Sequence, residues 1–444
     1  MYIILGYVWQ YVTNPKAIIA LSLFVALVSA YNTIPRQYFW PLAAAYVIGL
    51  IGYGIYWLIQ RRRNEQQGEE LAEAIEKDTQ AEYGKQKDKD ELSLVNQQMK
   101  ESIQLIRKSK LGDKKGNAAL YELPWYMVIG NPAAGKSSAI YNSGLKFPFE
   151  ETHQSAVSSG LSGTRNCDWF FSTEGVLLDT AGRYSVYSED HSEWIGFLNL
   201  LKKNRSKAPI NGLIVTVSIA ELVSQSPEKS LKLAKNLRAR IQDLTERLEI
   251  FAPVYLVFSK MDLIAGFTEF FDCYDQDEFD QVWGATLPYN PDSSNNAVEL
   301  FEQHYNILYD GLKSVSTTHL SRRHAQNISP SVMTFPLEFK TLKPALKTFI
   351  GTLFEENPYQ FKPVFRGFYF TSALQEGVIE SPMTEQIAQD FNLTKIPNSE
   401  HGIPKNSVSQ NHGYFLKGLF SDVILKDKNL VKQHINPSKK RQRY

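Results

Sequence analysis

One glycine-rich stretch constrains the fold more than any other feature of this 444-residue chain. Residues 130–137 read Gly-Asn-Pro-Ala-Ala-Gly-Lys-Ser, which fits the phosphate-binding pattern G-x-x-x-x-G-K-[ST]. The apolar run 125–129 before it predicts a buried parallel strand, and residues 137–142 after it predict a helix. A strand, a glycine loop and a helix in this order predict an α/β fold that holds a nucleoside triphosphate. The alternative is a chance glycine turn before a helix.

The residue types in this loop predict how it would contact a triphosphate. Backbone N–H groups and the positive end of the following helix would hold the phosphates. Lys136 is expected to reach the β- and γ-phosphates as a catalytic group, and the Ser137 hydroxyl is expected to bind Mg²⁺. The other nucleotide contacts predicted in this loop are Gly130, Asn131, Ala134, Gly135 and Ser138.

The overall composition is that of an ordinary globular protein with room for two or three domains. A net charge of +1 gives no electrostatic reason to expect a nucleic-acid partner. The two cysteines, Cys167 and Cys273, lie far apart without a C-x-x-C pattern. We therefore expect no disulfide framework and no zinc site.

The N-terminal region 1–60 predicts a membrane anchor. Two stretches, about 17–35 and 38–60, carry no charged side chain, and each approaches the roughly 20 residues of helix that cross a bilayer. Tryptophan and tyrosine lie near their ends, as interfacial anchors do, and the connector is too short for a domain. The pair therefore predicts a transmembrane helical hairpin. The alternative is a cleaved signal peptide, with Val28 and Ala30 as the small residues before the cut.

Charge predicts the orientation of this hairpin. Three arginines, 61–63, follow the second span at once, whereas the connector carries one arginine, Arg36. The positive-inside rule then puts residues 61–444 in the cytoplasm. Residues 61–118 are highly charged and have apolar residues at helical spacing, which predicts a helical linker.

A nucleotide domain is predicted over 119–262 together with 364–380. Two apolar runs, 167–171 and 176–178, joined by a glycine turn, predict a hairpin whose second strand ends in Asp-x-x-Gly, residues 179–182. Asp179 is expected to hold Mg²⁺, and the Gly182 N–H to contact the γ-phosphate. Thr164, just before the hairpin, is expected to close over Mg²⁺ as a further ligand and catalytic group.

The remaining apolar runs alternate strand and helix patterns, which predicts a doubly wound, mostly parallel sheet with its site at the strand carboxyl ends. The run 254–258 leads into Ser259-Lys260-Met261-Asp262, which resembles the guanine-recognition motif Asn/Thr-Lys-x-Asp. Asp262 would accept hydrogen bonds from guanine, and the stem of Lys260 would lie along the base. Because serine replaces the usual asparagine, both GTP and ATP stay open, and a strand-ending charged turn is the alternative.

A final strand is predicted at 368–370, and the Thr-Ser-Ala turn after it is expected to contact the base through Ser372. The distance in sequence from Asp262 makes residues 263–363 a predicted insertion, helical and rich in aromatic residues. Residues 381–444 predict a helical extension that ends in a basic tail.

Several specific stretches carry a resemblance to a known family. They are residues 123–126 with 130–138, 163–170, 178–184, 366–372 with 375–377, and 414–417 with 419–420. With them the chain resembles, over nearly all its length, the N-terminal part of the IcmF/TssM family. Members of this family are inner-membrane components of the bacterial type VI secretion system.

The resemblance implies a role in a membrane complex, as a homo-oligomer in the lipid bilayer beside a TssL/DotU-type inner-membrane protein. It also implies a third transmembrane segment and a large periplasmic region further on. A TssJ-type lipoprotein is an expected partner only if that periplasmic region exists. The basic tail 439–444 would suit the cytoplasmic edge of the third span, and no span follows it. A truncated product or a split gene is therefore expected.

Hydrolysis is less firmly indicated than nucleotide binding. Small GTPases carry a glutamine directly after Asp-x-x-Gly to position the attacking water, and this chain has Arg183 there. An arginine could instead stabilise phosphoryl charge as an internal finger. The first hypothesis is slow ATP or GTP hydrolysis, with Mg²⁺, that drives or gates assembly. The second is a scaffold with an idle or structural nucleotide site, and the third is a membrane-tethered regulatory GTPase outside secretion.

Overall fold

The computed structural model describes residues 123–148, 167–186, 190–206, 208–271, 274, 276–290, 296–322, 331–357, 361–373, 381–383 and 413–433. All of these belong to one compact unit, Lys85–Tyr444. Among them, no helix combines the length and the apolar character that crossing a bilayer requires. The predicted spans 17–35 and 38–60 and the predicted linker 61–118 lie outside the described residues.

The strands of the described residues are β1 Trp125–Ile129, β2 Cys167–Phe171, β3 Val176–Thr180, β4 Gly212–Ser218, β5 Ile250–Phe251, β6 Pro253–Ser259, β7 Gly284–Thr286, β8 Val364–Phe370 and β9 Lys432–Gln433. Seven of them form one sheet in the order β2-β3-β1-β4-β6-β8-β7, while β5 pairs with β9. Within the large sheet β3, β1, β4, β6 and β8 run parallel. The edge strands β2 and β7 are antiparallel to their neighbours. The predicted mixed α/β fold with a mostly parallel sheet is confirmed.

The helices of the described residues are α1 Lys136–Tyr141, α2 His191–Asn204, α3 Ile219–Ser224, α4 Pro227–Leu248, α5 Phe267–Phe271, α6 Gln276–Phe279, α7 Ala297–Arg322 and α8 Ser331–Leu353. Short 3₁₀ turns occupy Gly182–Ser185, Met261–Leu263 and Leu425–Asp427, and a π-helical turn occupies Leu419–Ile424.

Burial explains why these segments take the conformations they do. Every residue of β1, β3, β4 and β6 is buried, as expected of parallel strands covered on both faces. Helix α4 begins at Pro227, and proline at the first position suits a helix N-terminus. Its buried residues recur at threes and fours and form the apolar stripe that faces the core: Ala234, Leu237, Ile241, Leu244 and Leu248.

The region predicted as a helical insertion, 263–363, contains helices α5 to α8 and also a short strand, β7. Strand β7 extends the main sheet by pairing with β8, with Gly284 opposite Tyr369. A run of three residues is too short to show the period-two pattern of a strand, so the sequence predicted only helix here. Helices α7 and α8 pack together through stacked rings of Tyr305 and Phe339, whose centroids are 4.5 Å apart.

Residues 413–433, here called the C-terminal segment, pack on one face of the main sheet. Leu416, Leu419, Phe420 and Ile424 are buried there in one cluster with side chains of β1, β4 and β6. An isolated bridge between Ser372 and Tyr414 joins the segment to the end of β8. The sequence predicted a helical extension over 381–444. In the described part, 413–433, residues 417–427 form helical turns and β9 follows, and apolar side chains hold these turns against the sheet.

Candidate functional site

The glycine-rich loop follows β1 at the carboxyl edge, defined here as the side of the sheet where the parallel strands β3, β1, β4, β6 and β8 end. In an open parallel sheet this is the side on which ligands bind. The loop is tightly curled: Ala133 and Gly135 have φ angles of 60° and 79°. Gly130 has no room for a side chain, because a Cβ there would lie 2.2 Å from the Thr216 carbonyl oxygen of β4.

Lys136 is buried at the centre of this loop. Its Nζ donates hydrogen bonds to the carbonyl oxygens of Gly130 and Asn131, each at 3.3 Å. Burial lowers the pKa of Lys136 below its ordinary value of 10.5, and the nearby Asp179 carboxylate partly opposes that shift. The loop therefore wraps around a desolvated cation, which an incoming phosphate would stabilise.

The structure brings together two predicted metal ligands that are 42 residues apart in sequence. The Ser137 hydroxyl donates to Oδ2 of Asp179 at 2.5 Å. Asp179 is fully buried in β3, and the neighbouring Thr180 hydroxyl ties β3 to β1 through the Val128 carbonyl oxygen, at 2.8 Å. Two hard oxygens at one point fit Mg²⁺, which commonly takes few protein ligands and completes its shell with phosphates and water. Thr164, the third predicted ligand, lies outside the described residues.

The Asp-x-x-Gly turn packs directly on the glycine-rich loop. A Cβ on Gly182 would lie 2.4 Å from the backbone nitrogen of Pro132 and 2.8 Å from the carbonyl carbon of Asn131. Gly182 opens a 3₁₀ turn that continues through Ser185. The turn and the loop therefore touch through their backbones, and a change in one displaces the other.

Arg183, the predicted arginine finger, forms ion pairs within the protein. Its guanidinium binds both carboxylate oxygens of Glu193 at 2.9 and 2.7 Å, and it binds Asp190 at 3.0 Å. The hydroxyl of Tyr184 donates to the same Glu193, and burial together with this carboxylate raises the pKa of Tyr184. In this arrangement Arg183 ties the Asp-x-x-Gly turn to the start of α2. Sequence reasoning did not single out Asp190 or Glu193 as its partners.

The predicted base-recognition residues gather beside the loop. The Ser259 hydroxyl donates to the Ala134 carbonyl oxygen at 2.6 Å, which links the end of β6 to the glycine-rich loop. Lys260 has a φ of 63°, and its Cε lies about 4.0 Å from where a Cβ on Gly135 would be. Lys260 thus runs alongside the loop, and its predicted position along a base stays a prediction.

Asp262 meets the turn after β8 across 110 residues of sequence. The Ser372 hydroxyl donates to Oδ1 of Asp262, and the Met261 N–H donates to the Thr371 carbonyl oxygen at 3.2 Å. The Ser372 backbone N–H donates to the Tyr414 carbonyl oxygen at 3.2 Å. The backbone N–H of Ser372 therefore pairs with the C-terminal segment, and its hydroxyl pairs with Asp262.

One contact at the carboxyl edge was missed by the sequence reasoning. Nδ2 of Asn131 donates to Oε2 of Glu221, which lies in the first turn of α3 directly after β4. Residues 218–221 read Ser-Ile-Ala-Glu, the pattern that starts a helix with a capping box. The Ser218 hydroxyl does accept from the Glu221 N–H at 3.3 Å. That signal could have located α3, but not the direction of the glutamate side chain.

Comparisons with known proteins agree on one family. The IcmF-related N-terminal domain matches residues 187–444. A protein from Pseudomonas aeruginosa, the type VI secretion system component TssM1, is 37% identical over 363 residues. That alignment covers 80% of this chain and 32% of TssM1, so the chain spans about a third of this relative's length.

Among solved structures, a signal recognition particle receptor complex, SRb-GTP/SRX from Chaetomium thermophilum, matches at 17% identity with a TM-score of 0.23. The match covers 33% of this chain and 75% of that one.

Proposed function

The chain belongs to the IcmF/TssM family of type VI secretion components, and from this premise we propose that it is the nucleotide-binding, membrane-anchored part of such a component. It binds ATP or GTP with Mg²⁺ at the carboxyl edge, on a fold of the P-loop type resembling a G domain. Slow hydrolysis at this site drives or gates assembly of the secretion complex.

The contact between Ser137 and Asp179 beside the buried Lys136 carries this proposal. A buried lysine and a buried aspartate are costly unless they are paired or bind a ligand. Here Lys136 begins α1 directly after the curled loop, Asp179 lies near the end of the neighbouring strand β3, and the pKa of Lys136 is lowered by its burial. A buried lysine with a shifted pKa beside a carboxylate is typical of functional sites.

The residues of the site form two groups, one at the phosphate end and one at the base end. At the phosphate end Lys136 balances phosphate charge, and Ser137 with Asp179 would hold Mg²⁺, which supplies charge neutralisation when bound. At the base end Asp262 and Lys260 receive the base. The Ser259 hydroxyl donates to the Ala134 carbonyl oxygen and so fixes the loop relative to the base end. The Asp262 carboxylate favours guanine, and ATP stays the alternative ligand.

The location and partners follow from the family and from the predicted spans. The chain is anchored in the bacterial inner membrane by spans at 17–35 and 38–60, with residues 61–444 in the cytoplasm. It assembles with copies of itself and with a TssL/DotU-type inner-membrane protein. A TssJ-type lipoprotein is a partner only of a periplasmic region.

A scaffold with an idle nucleotide site is the second candidate. Two observations favour it: Gly182 packs against the backbone of Pro132, and Arg183 is engaged by Glu193 and Asp190. In this alternative the turn stays closed on the loop, and the membrane complex needs the fold but not the nucleotide.

Equilibrium binding of fluorescent GTP and ATP to the full chain, purified in a mild detergent, tests the proposal. We expect saturable binding that requires Mg²⁺ and weakens at least about 100-fold in Lys136→Ala, because a charged hydrogen bond to phosphate is lost. Secretion by a deletion strain carrying each version then separates the two candidates. Full secretion with Lys136→Ala would support the scaffold, and absence of binding in the wild-type protein would refute the nucleotide proposal.

A further inference from the structure

The base end of the carboxyl edge joins three stretches of chain that lie far apart in sequence. Asp262 follows β6, Ser372 follows β8, and Tyr414 lies at the start of the C-terminal segment. The Ser372 hydroxyl donates to Oδ1 of Asp262, and the Ser372 backbone forms an antiparallel bridge with Tyr414. Ser372 is fully buried, whereas Asp262 is 9% exposed. Ser372 can therefore act on a ligand through Asp262 rather than by touching it.

The bridge fixes the Ser372 backbone on both sides of its Cα. The Ser372 N–H donates to the Tyr414 carbonyl oxygen at 3.2 Å, and the Tyr414 N–H donates to the Ser372 carbonyl oxygen at 2.7 Å. With its hydroxyl on Asp262, Ser372 uses its amide, its carbonyl and its side chain in these two contacts. A binding group is held most precisely when its supporting residue is itself fixed by hydrogen bonds. The bridge therefore determines where the Asp262 carboxylate lies.

Tyr414 is in turn held by the predicted insertion, 263–363. The Phe415 N–H donates to the Phe279 carbonyl oxygen at 2.8 Å, and the Tyr414 ring meets the Phe279 ring edge-on at 4.7 Å. Phe415 has a φ of 60° and packs its buried ring on Phe271 at 5.1 Å. Such a φ is rare for a bulky residue and persists only where the surroundings enforce it. The insertion therefore holds the backbone that pairs with Ser372.

The two ends of the C-terminal segment contact different parts of the domain. Near its start, Gly418 lies so close to the insertion that a Cβ would be 2.3 Å from the Asp280 carbonyl oxygen. Near its other end, Leu425 packs on Gly175, which directly precedes β3, and a Cβ there would be 2.5 Å from Cδ2 of the leucine. Alanine at either glycine therefore displaces one end of the segment.

We propose that the C-terminal segment completes the nucleotide site, because Tyr414 positions Ser372 and Ser372 positions the Asp262 carboxylate that receives the base. This inference rests on the proposed function, since it requires a nucleotide whose base lies at Asp262. Tyr414 and Ser372 are positioning residues that do not contact the nucleotide. The insertion, which holds Tyr414, then influences the affinity for the base without touching it.

The first test measures the Kd of the full chain, with Mg²⁺, for two kinds of probe. Fluorescent GTP and ATP carry a base, and tripolyphosphate, measured by competition, carries none. In Ser372→Ala the hydroxyl on Asp262 is lost, and we expect the nucleotide Kd to rise about 10-fold. The tripolyphosphate Kd should stay within about twofold, because the phosphate end is unchanged. Ser421→Ala, at an exposed hydroxyl of the same segment, is the matched control and should change neither value.

The second test displaces the segment without removing any hydrogen-bonding group. Gly418→Ala pushes its start away from the insertion, and we expect the nucleotide Kd to rise about three- to tenfold while tripolyphosphate binds as before. Gly175→Ala pushes against Leu425 at the other end and is the matched control. It should lower the stability of the chain and leave both Kd values unchanged.

The outcomes separate this inference from the proposed function. An unchanged nucleotide Kd in either Ser372→Ala or Gly418→Ala would overturn the inference and leave the proposed binding in place. An equal rise in the tripolyphosphate Kd, or an equal effect of Gly175→Ala, would also overturn it, because either result reports a general loosening of the fold. A wild-type chain that binds tripolyphosphate as tightly as nucleotide would show that the base end contributes nothing. Absence of all binding would refute the proposed function itself.

Discussion

The two edges of the parallel sheet use buried polar groups in different ways. At the amino edge, where the parallel strands begin, Arg366 pairs with Asp427 and Arg205 donates to uncharged oxygen atoms inside the protein. At the carboxyl edge Lys136 and Asp179 lie beside the glycine-rich loop. The contrast separates residues that hold the fold together from residues arranged for something outside it.

The amino edge contains two such clusters. Asp427 of the C-terminal segment accepts from the Tyr255 hydroxyl at 2.8 Å and from Arg366 at 2.7 and 3.1 Å. Arg205 is 1% exposed, donates to the Leu123 carbonyl oxygen at 3.1 Å and to Asn211 at 3.0 Å, and lies over a tryptophan ring. Each cation here meets acceptors that the chain itself provides, so these contacts contribute to stability.

The carboxyl edge differs in the hydrogen bonds that its buried polar groups make. Lys136 donates to carbonyl oxygens only, and its pKa is lowered by burial. The Asn131 amide oxygen and the Thr371 hydroxyl are buried without a hydrogen bond from the described residues. Buried polar groups are normally satisfied, and those that are not need an explanation. A bound nucleotide with water would provide it.

Removing Asp427 should have the largest effect on stability. In Asp427→Ala the half-buried Arg366 and the Tyr255 hydroxyl lose their shared partner, and losing hydrogen bonds to a charged group costs about 1.5–3 kcal/mol. Urea unfolding of the full chain measures this loss. The control is Asp422→Ala, whose exposed pair with Lys426 should contribute at most about 0.5 kcal/mol. Equal losses in the two variants would remove the distinction between the edges.

Gly182→Ala tests the close contact at the carboxyl edge. The new Cβ would lie 2.4 Å from the backbone nitrogen of Pro132, so the turn and the loop must separate, at a cost of about 1–3 kcal/mol. Nucleotide affinity should fall as well, because the loop is displaced. Gly311→Ala in α7 is the control: its Cβ meets nothing within 4 Å, and helix propensity predicts a gain of about 0.5–1 kcal/mol. Calorimetric unfolding measures the stability of both variants. A Gly182→Ala variant as stable as the wild type would contradict the close contact between the turn and the loop.

Ser259→Ala should produce a smaller loss. The hydroxyl that links β6 to the loop through Ala134 disappears, and one such hydrogen bond is worth about 0.5–1.5 kcal/mol. Because the bond orients the loop, nucleotide should dissociate faster, which stopped-flow fluorescence measures. Ser314→Ala, at an exposed hydroxyl in α7, serves as the comparison. Identical dissociation rates in the two variants would show that Ser259 does not orient the loop.

The amino edge also predicts a small dependence of stability on alkaline pH. Burial raises the pKa of Tyr126 and of Tyr255 above the ordinary value of 10, and Asp427 adds to both shifts. Stability from these tyrosines is complete below pH 10 and is lost as pH rises towards their folded-state values. At pH 10 the loss is about 0.4 kcal/mol for each tyrosine. Denaturant unfolding between pH 8 and 10.5 should show a shallower decline in Tyr255→Phe, and an unchanged decline would contradict the assigned burial.

Local sequence patterns predicted much of this arrangement. Lys136, Ser137 and Asp179 come together as their motifs require, because loops that follow neighbouring parallel strands meet at one edge. The same rule placed Asp262 beside Ser372 across a long insertion. The family resemblance, which rested on these motifs, is confirmed by the comparisons.

Other features depend on tertiary contacts that no local pattern encodes. Residues 414–416 are apolar, but nothing in them indicates which sheet face they cover or that Asp427 will meet Arg366. Arg183 was assigned to the phosphate because it follows Asp-x-x-Gly, and its pairing with Glu193 depends on where α2 begins. In the sequence Glu221 indicates only the start of a helix, because its carboxylate could turn either to its own helix or to a neighbouring loop.

Thermal unfolding of three full-length proteins, with and without Mg²⁺ and nucleotide, tests the division between the edges most directly. A ligand at 100 times its Kd stabilises the folded state by about 2.7 kcal/mol. We predict the same stabilisation by nucleotide in the wild-type chain and in Asp427→Ala, although the latter starts from a lower Tm, and none in Lys136→Ala. A wild-type chain that nucleotide does not stabilise, or a Lys136→Ala variant stabilised equally well, would contradict a carboxyl edge arranged for a triphosphate.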